Sequence, residues 1–157
     1  MKSALLLAVA GCVVSNAYAQ DHPLVGVWKL VSYDVELKDG GPRQKLFGEN
    51  PTGYITFTAK NRVMVVLEAA DRKPATTVEQ RADLLQSMAA YAGTYRLEGN
   101  TWVTTVDVAW SPSQRGEQRR DYEIDGDLLS VTTPWIKDPR LPNQPETRSI
   151  LIWQKVE

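Results

Sequence analysis

Apolar and polar positions alternate along most of the chain after Leu24. Short runs rich in Val, Ile, Thr, Tyr and Trp are separated by segments that contain Gly, Asp or Asn. Such runs are typical of antiparallel β-strands. The runs fall at residues 24–37, 53–58, 62–69, 92–97, 101–110, 118–124, 128–133 and 147–156. An all-β domain of eight strands is therefore predicted.

Three connections between these runs are short enough to be hairpin turns. They are Ala59-Lys60-Asn61, Glu98-Gly99-Asn100 and Asp125-Gly126-Asp127. Asn and Gly tolerate the positive φ that tight hairpins require. Strands joined in this up-and-down order leave two sheet edges, and closing the sheet removes both. We therefore predict a single eight-stranded antiparallel barrel rather than a sandwich.

One segment departs from the strand pattern. Between the third and fourth strands, residues 78–91 place apolar side chains near helical spacing, which predicts a helix. Thr77 and Gln80 form a capping-box sequence at its start. Residues 134–146 contain four prolines, which predicts an extended loop. With residues 111–116, this loop is expected to surround the open end of the barrel.

The N-terminus has the pattern of a secretory signal. Lys2 precedes an apolar stretch at residues 4–14, and Ala17-Tyr18-Ala19 forms a small-residue cleavage site. We predict a signal peptide at residues 1–19 and a barrel domain at residues 20–157, located in the periplasm or secreted. An alternative is a lipoprotein anchored through Cys12, because residues 9–12 resemble a lipobox. No later stretch is apolar for long enough to span a membrane as a helix.

Charge and residue inventory exclude several kinds of function. Lys and Arg number 18 and Asp and Glu number 19, with no basic stripe for phosphate backbones, so nucleic acid is not expected as a partner. The single His22 lies near the start of the barrel domain, and the single Cys12 lies in the signal. A nucleophile with a histidine base and a His/Cys metal site are therefore not expected. We predict no cofactor and a monomer or weak dimer.

Four segments resemble landmarks of the lipocalin-like domain family of bacteria and fungi. They are residues 24–32 with a G-x-W element at Trp28, then residues 50–57, 92–95 and 122–129, in the family's order. The resemblance implies a calycin-type barrel with a cavity. It also implies that Trp28 closes one end of the barrel and that Lys155 packs over it. It supplies no catalytic residues.

The interior of such a barrel either is filled by side chains or holds one small ligand. Alternation along residues 101–110 predicts that Trp102, Thr104, Val106, Val108 and Trp110 face inward. Aromatic side chains suit an apolar or amphiphilic ligand, and an inward arginine suits a ligand carboxylate. The predicted ligand-binding residues are Tyr54, Met64, Tyr91, Tyr95, Trp102, Trp110, Arg120 and Trp135, although core or rim packing is an alternative for each aromatic residue.

These observations favour an exported protein that binds or carries a small hydrophobic or amphiphilic molecule. A cofactor-free isomerase or cyclase is an alternative, since a buried carboxylate or tyrosine can move a proton. Weak catalytic candidates are Asp107, Tyr122 and Glu123, with Asp34 and Glu36 also available, and a solvated strand face is the alternative for each acid. A fully packed barrel that acts as an interaction module is the third hypothesis.

Overall fold

The computed structural model describes residues 22–157, in which the chain forms nine strands and two helical segments. The elements are β1 Gly26–Leu37, β2 Thr52–Phe57, β3 Arg62–Glu68, α1 Val78–Gln86, β4 Met88–Glu98, β5 Thr101–Ala109, a single 3-10 turn at Pro112–Gln114, β6 Gly116–Asp125, β7 Leu128–Thr132, β8 Ile136–Lys137 and β9 Glu146–Lys155. The predicted signal peptide, including Cys12, lies outside the described residues.

Eight long strands close into an antiparallel barrel. They follow the order β1 to β7 and then β9, and β9 pairs with β1 to complete the ring. The two-residue β8 extends the pairing along β9. Because β1 bonds to β2 on one side and to β9 on the other, the ring has no free edge. The predicted eight-stranded barrel with a helix between the third and fourth strands is confirmed.

The two ends of the barrel are built differently. At the closed end lie three tight turns and the meeting point of the start of β1 with the end of β9. Asn61, Gly99 and Gly126 have φ values of 57°, 60° and 56°, as expected for hairpin turns of this kind. At the open end lie four longer segments, at residues 38–51, 69–87, 110–115 and 133–145.

Aromatic side chains fill the closed end. Trp28 is fully buried, and its Nε1 donates to the carbonyl oxygen of Leu24 at 2.9 Å. The Nζ of Lys155 lies 5.3 Å from the centroid of the Trp28 ring, as the family resemblance implied. The ring of Phe57 meets Tyr95 and Trp102 edge to face, each at a centroid distance of 5.1 Å. We call the four rings of Trp28, Phe57, Tyr95 and Trp102, with that of Tyr122, the aromatic plug.

The helix is shorter than its sequence pattern predicted. It begins with the predicted capping box, in which the backbone N–H of Gln80 donates to the Thr77 hydroxyl at 3.2 Å. It ends at Gln86 rather than at residue 91, and residues 88–91 instead begin β4, where Ala89 pairs with Leu67 and Tyr91 with Val65. This pairing provides hydrogen-bond partners for the backbone N–H and C=O groups of β3. A helix that continued to residue 91 would leave those groups unpaired.

A β-bulge interrupts the predicted alternation along β5. Ala92 pairs with Val108, while Gly93 pairs with Val106, so that Asp107 is an extra residue on β5. As a result Val108 is 55% exposed, and the prediction that it faces inward was wrong. A Cβ on Gly93 would lie 2.1 Å from the Thr105 carbonyl oxygen, so only glycine fits opposite the bulge.

Candidate functional site

The barrel contains a cavity of about 520 Å³ between the aromatic plug and the open end. Its wall is formed by aliphatic side chains from several strands and by residues of the open-end segments. The aliphatic lining residues include Ile55, Val65, Leu67, Val131 and Leu151. An apolar wall with a few polar groups is the usual composition of a small-molecule site.

Two indoles line the cavity, one of which, Trp102, belongs to the aromatic plug. Trp102 and Trp153 are both almost completely buried. Within residues 22–157, neither Nε1 has a hydrogen-bond partner. An indole N–H is a donor only, and a buried donor without an acceptor is costly. These two atoms therefore favour an acceptor inside the cavity.

Arg120 and Gln118 provide the polar part of the same wall. On the adjacent strand, Arg120 pairs with Trp102 and Gln118 pairs with Thr104. The Arg120 guanidinium donates through Nη1 to the Arg119 carbonyl oxygen at 2.7 Å and through Nη2 to Gln118 Oε1 at 3.3 Å. Gln118 Nε2 donates to the Gln114 carbonyl oxygen at 3.3 Å. The side chain of Arg120 is therefore held in place by neutral oxygens.

Near the open end, a hydroxyl pair and an aromatic stack border the cavity. The hydroxyls of Tyr33 and Ser149 lie 2.8 Å apart, across the β1–β9 junction that closes the barrel. Tyr33 also packs on Phe47 at a centroid distance of 4.6 Å. Trp110 lines the cavity as well, and its Nε1 has no partner within residues 22–157. The open end thus combines apolar rings with several polar atoms.

An ion pair between the buried Asp138 and the partly exposed Arg140 fixes the segment that follows β7. The Asp138 side chain is only 1% exposed, and its carboxylate accepts hydrogen bonds from the Arg140 backbone N–H at 2.9 Å, from Arg140 Nε at 2.9 Å and from Arg140 Nη2 at 2.7 Å. The Thr147 hydroxyl donates to the same carboxylate at 3.3 Å.

Burial alone would raise the pKa of Asp138, but the hydrogen bonds from Arg140 and Thr147 lower it below the usual range. The hydrogen bond to Asp138 likewise raises the pKa of Arg140, against the effect of its own burial. The pair is therefore ionised and carries no net charge.

Four of the predicted ligand-binding residues line the cavity and four do not. Tyr91, Trp102, Trp110 and Arg120 line it. Tyr54 and Met64 are 44% and 50% exposed on the outer face, because Ile55 and Phe57 on β2 and Val63 and Val65 on β3 take the inward positions. A residue and its sequence neighbour on a strand face opposite sides, so their placement in the cavity was wrong.

Tyr95 and Trp135 were also predicted to bind the ligand, but neither borders the cavity. Tyr95 lies inside the barrel, but it belongs to the aromatic plug and does not border the cavity. Trp135 lies in an open-end segment, where its ring packs against the guanidinium of Arg148 at 4.7 Å from the ring centroid. Its neighbours Pro134 and Ile136 line the cavity instead.

The weak catalytic candidates do not reach the cavity. Asp107 lies on the outer wall, where Arg62 Nη1 contacts its carboxylate at 2.8 Å, and this hydrogen bond lowers the pKa of Asp107. Glu123 is exposed, Asp34 is half-buried without bordering the cavity, and Glu36 pairs with Arg148. Tyr122 packs on Trp102 in the plug, and burial raises the pKa of its hydroxyl.

Several lining residues escaped the sequence argument. The inward position of Gln118 follows from that of Arg120, because residues two positions apart on a strand lie on the same face. Asp138 and Arg140 lie in a proline-rich segment without periodicity, so no pattern marked them. Tyr33 and Ser149 meet only because β1 and β9 close the ring.

Neither a metal site nor a membrane span is found in the described part of the chain. No three His, Cys, Asp or Glu side chains among residues 22–157 converge into a group that could hold a metal ion. In the same residues, no helix has the length and apolar character needed to cross a membrane.

A closed eight-stranded antiparallel barrel with a cavity reaching one end is the architecture of the small ligand-binding barrels, to which lipocalins belong. The family model described as the lipocalin-like domain matches residues 25–156. The chain therefore belongs to the lipocalin-like domain family, and the resemblance noted from the sequence is confirmed. A search of curated proteins returned no match.

Proposed function

We propose that this protein is an exported lipocalin-like protein that binds or carries a small hydrophobic or amphiphilic molecule inside its barrel. The observation that carries the proposal is the cavity of about 520 Å³. Pockets for small ligands typically have about 300 to 1,000 Å³. A space of this size favours a ligand-binding barrel over a fully packed interaction module.

The composition of the wall supports an amphiphilic ligand. Most of the surface near the plug and along the strands is aliphatic or aromatic, and its contact with a ligand removes apolar surface from water. The polar groups are concentrated on β6 around Arg120 and at the open end. Such an arrangement orients a ligand that has one polar end and one apolar part.

A fluorescence titration with the neutral apolar dye N-phenyl-1-naphthylamine tests the proposal. Ala89 lines the cavity, whereas its neighbour Ala90 does not, so Ala89→Phe and Ala90→Phe place the same ring on opposite faces of β4. We expect the dye to bind the wild type and the Ala90→Phe variant, and Ala89→Phe to weaken binding strongly. Absence of binding to the wild type, or an equal effect of both substitutions, would contradict a site inside the barrel.

Native mass spectrometry of the protein purified from its own host addresses the natural occupant and the oligomeric state. We expect a monomer or weak dimer with an extra mass that is lost on denaturation. Extraction then allows the bound molecule to be identified and re-incubated with fresh protein. Recovery of an unchanged molecule supports a carrier, and a transformed molecule supports the isomerase or cyclase alternative.

Export to the periplasm or out of the cell is part of the same proposal. It rests on the secretory pattern of residues 1–19, which precede the described part of the chain. The intact mass of the protein from its host tests it. A mature chain that begins at Gln20 supports cleavage by signal peptidase, while a chain that begins at a lipidated Cys12 supports the lipoprotein alternative.

A further inference from the structure

The charges on the cavity wall leave one cation without an anionic partner. Five charged residues line the cavity, namely Glu117, Arg119, Arg120, Asp138 and Arg140. Glu117 pairs with Arg96, Arg119 with Glu98, and Asp138 with Arg140. Within residues 22–157, no carboxylate lies within ion-pair distance of Arg120, whose two hydrogen-bond acceptors are neutral oxygens.

Hydrogen-bond donors also outnumber acceptors around Arg120 and Trp102. Arg120 and Trp102 lie directly opposite each other on β6 and β5, and such cross-strand pairs have neighbouring side chains on the same face. The Trp102 side chain is 1% exposed, and its Nε1 has no acceptor within the described residues. The guanidinium retains further N–H donors, because it has more of them than the two that are used. Both side chains therefore offer N–H donors to the acceptor oxygens of a bound molecule.

The position of this pair within the barrel matters for the ligand. Arg120 lies in the middle of β6, Gly116–Asp125, and Trp102 also contacts the aromatic plug through Phe57 and Tyr122. The donor pair thus borders the inner end of the cavity, while the aliphatic wall extends from it toward the open end. A ligand that enters through the open end reaches the donor pair with its leading group.

From these contacts we propose that the ligand is a monocarboxylate, whose carboxylate binds Arg120 and Trp102 while its apolar part lies along the wall. This inference rests on the proposed function and adds the chemical class of the ligand. The planar guanidinium matches the geometry of a carboxylate. A single unpaired cation balances a monoanion, whereas a dianionic phosphate monoester would bring an excess charge into the apolar cavity.

Displacement of N-phenyl-1-naphthylamine by decanoate, 1-decanol and decylammonium tests the inference, because these molecules share one alkyl chain and differ in the head group. We expect decanoate to displace the dye from the wild type at a concentration about tenfold or more below that of 1-decanol, since a charged hydrogen bond strengthens binding by about this factor. Decylammonium is expected to be the weakest competitor, because its head group carries the same charge as Arg120.

Variants then assign the preference to Arg120. We expect Arg120→Gln to weaken decanoate about tenfold or more, and to change the affinities for 1-decanol and the dye by a much smaller factor. Trp102→Phe, which removes the N–H and retains a ring, is expected to weaken decanoate about threefold to tenfold. Arg43→Gln is the matched control, because Arg43 is exposed and does not line the cavity. It is expected to leave all three affinities unchanged.

The outcomes separate the inference from the proposed function. Dye binding with equal displacement by decanoate and 1-decanol, or a decanoate affinity that Arg120→Gln does not change, overturns the carboxylate inference and leaves the cavity intact. Absence of dye binding to the wild type overturns the proposed function as well. If Arg120→Gln does not fold, the comparison of head groups on the wild type still decides the inference.

Discussion

The closed and open ends of this barrel use the same strands for different purposes. At the closed end the strands are joined by short turns. There Phe57 packs against Tyr95 and Trp102, and Trp28 is buried in the same core. At the open end the connections are longer, and the space between them is a cavity with polar groups. The comparison indicates that stability is concentrated at the closed end and ligand recognition toward the open end.

The connections explain this division. A two-residue turn fixes the register of both strands and places their side chains at defined heights, which allows close packing of large rings. Longer segments leave the backbone more conformational freedom. The segment at residues 133–145 is held by the pairing of β8 with β9 and by the Asp138–Arg140 ion pair. Function commonly resides in such loops on a rigid scaffold.

The largest contrast is expected between two tryptophans, one at each end. Trp28→Ala removes a fully buried ring and its hydrogen bond to Leu24, and we expect it to lower the free energy of unfolding by about 3 to 5 kcal/mol. Trp135→Ala removes a half-buried ring that packs against the Arg148 guanidinium. We expect it to lower the free energy of unfolding by about 1 kcal/mol. Urea unfolding followed by far-UV circular dichroism measures both. Equal losses would show that stability is not concentrated at the closed end.

A smaller effect is expected at the ion pair of the open end. Asp138→Asn leaves Arg140 without its carboxylate, and we expect a loss of about 1 to 2 kcal/mol at pH 7. Because folding lowers the pKa of Asp138, the carboxylate stabilises the fold above its unfolded pKa of about 3.9 and loses this effect as pH falls through the lower folded value.

The pH dependence of the variant provides the check. Urea midpoints of the wild type and of Asp138→Asn are expected to differ at pH 7 and pH 5 and to converge below about pH 4. A difference between the two proteins that stays constant down to pH 3 would mean that Asp138 is not ionised against Arg140 in the fold.

Tyr91 tests whether the open end recognises the ligand without carrying the fold. Its ring lines the cavity and is half-buried, so Tyr91→Ala is expected to weaken N-phenyl-1-naphthylamine binding by about threefold to tenfold through lost apolar contact. We expect its loss of unfolding free energy to be well below that of Trp28→Ala. A large loss of stability with unchanged dye affinity would reverse the roles assigned to the two ends.

The smallest effect is expected on the outer wall. Asp107 is exposed and contacts Arg62 outside the barrel, and exposed ion pairs contribute little. Asp107→Asn is therefore expected to leave dye affinity, any turnover of an extracted ligand and the urea midpoint unchanged within error. Loss of turnover in this variant would support Asp107 as a catalytic residue despite its position.

Local patterns were sufficient for some features of the fold and insufficient for others. The hairpin turns, the capping box at Thr77 and the up-and-down strand order are set by neighbouring residues, so the sequence predicts them well. The end of α1 was wrong because the pairing of residues 88–91 with β3 outweighs their helical spacing. Val108 was wrong because the bulge at Asp107 changes the alternation after it.

Local sequence patterns also predicted only part of the candidate site. Trp102 and Arg120 were predicted to line the cavity and do so, since their strands are regular where they pair. Tyr54 and Met64 were also named as ligand-binding residues but lie outside. An alternating strand does not reveal which of its two faces is the inner one when both carry apolar residues.

The sequence by itself thus determined a chain of alternating strands, tight hairpins and a G-x-W opening strand, a pattern that favours a closed small barrel over a sandwich. The tertiary structure decided which face of each strand is interior, that Arg120 lies inside while Arg119 pairs with Glu98, and that Asp138 meets Arg140 beside the cavity. The physical reason is that turns and strand alternation depend on residues close in sequence. Inward or outward orientation depends instead on bulges and on the closure of β1 with β9, which join residues far apart in the chain.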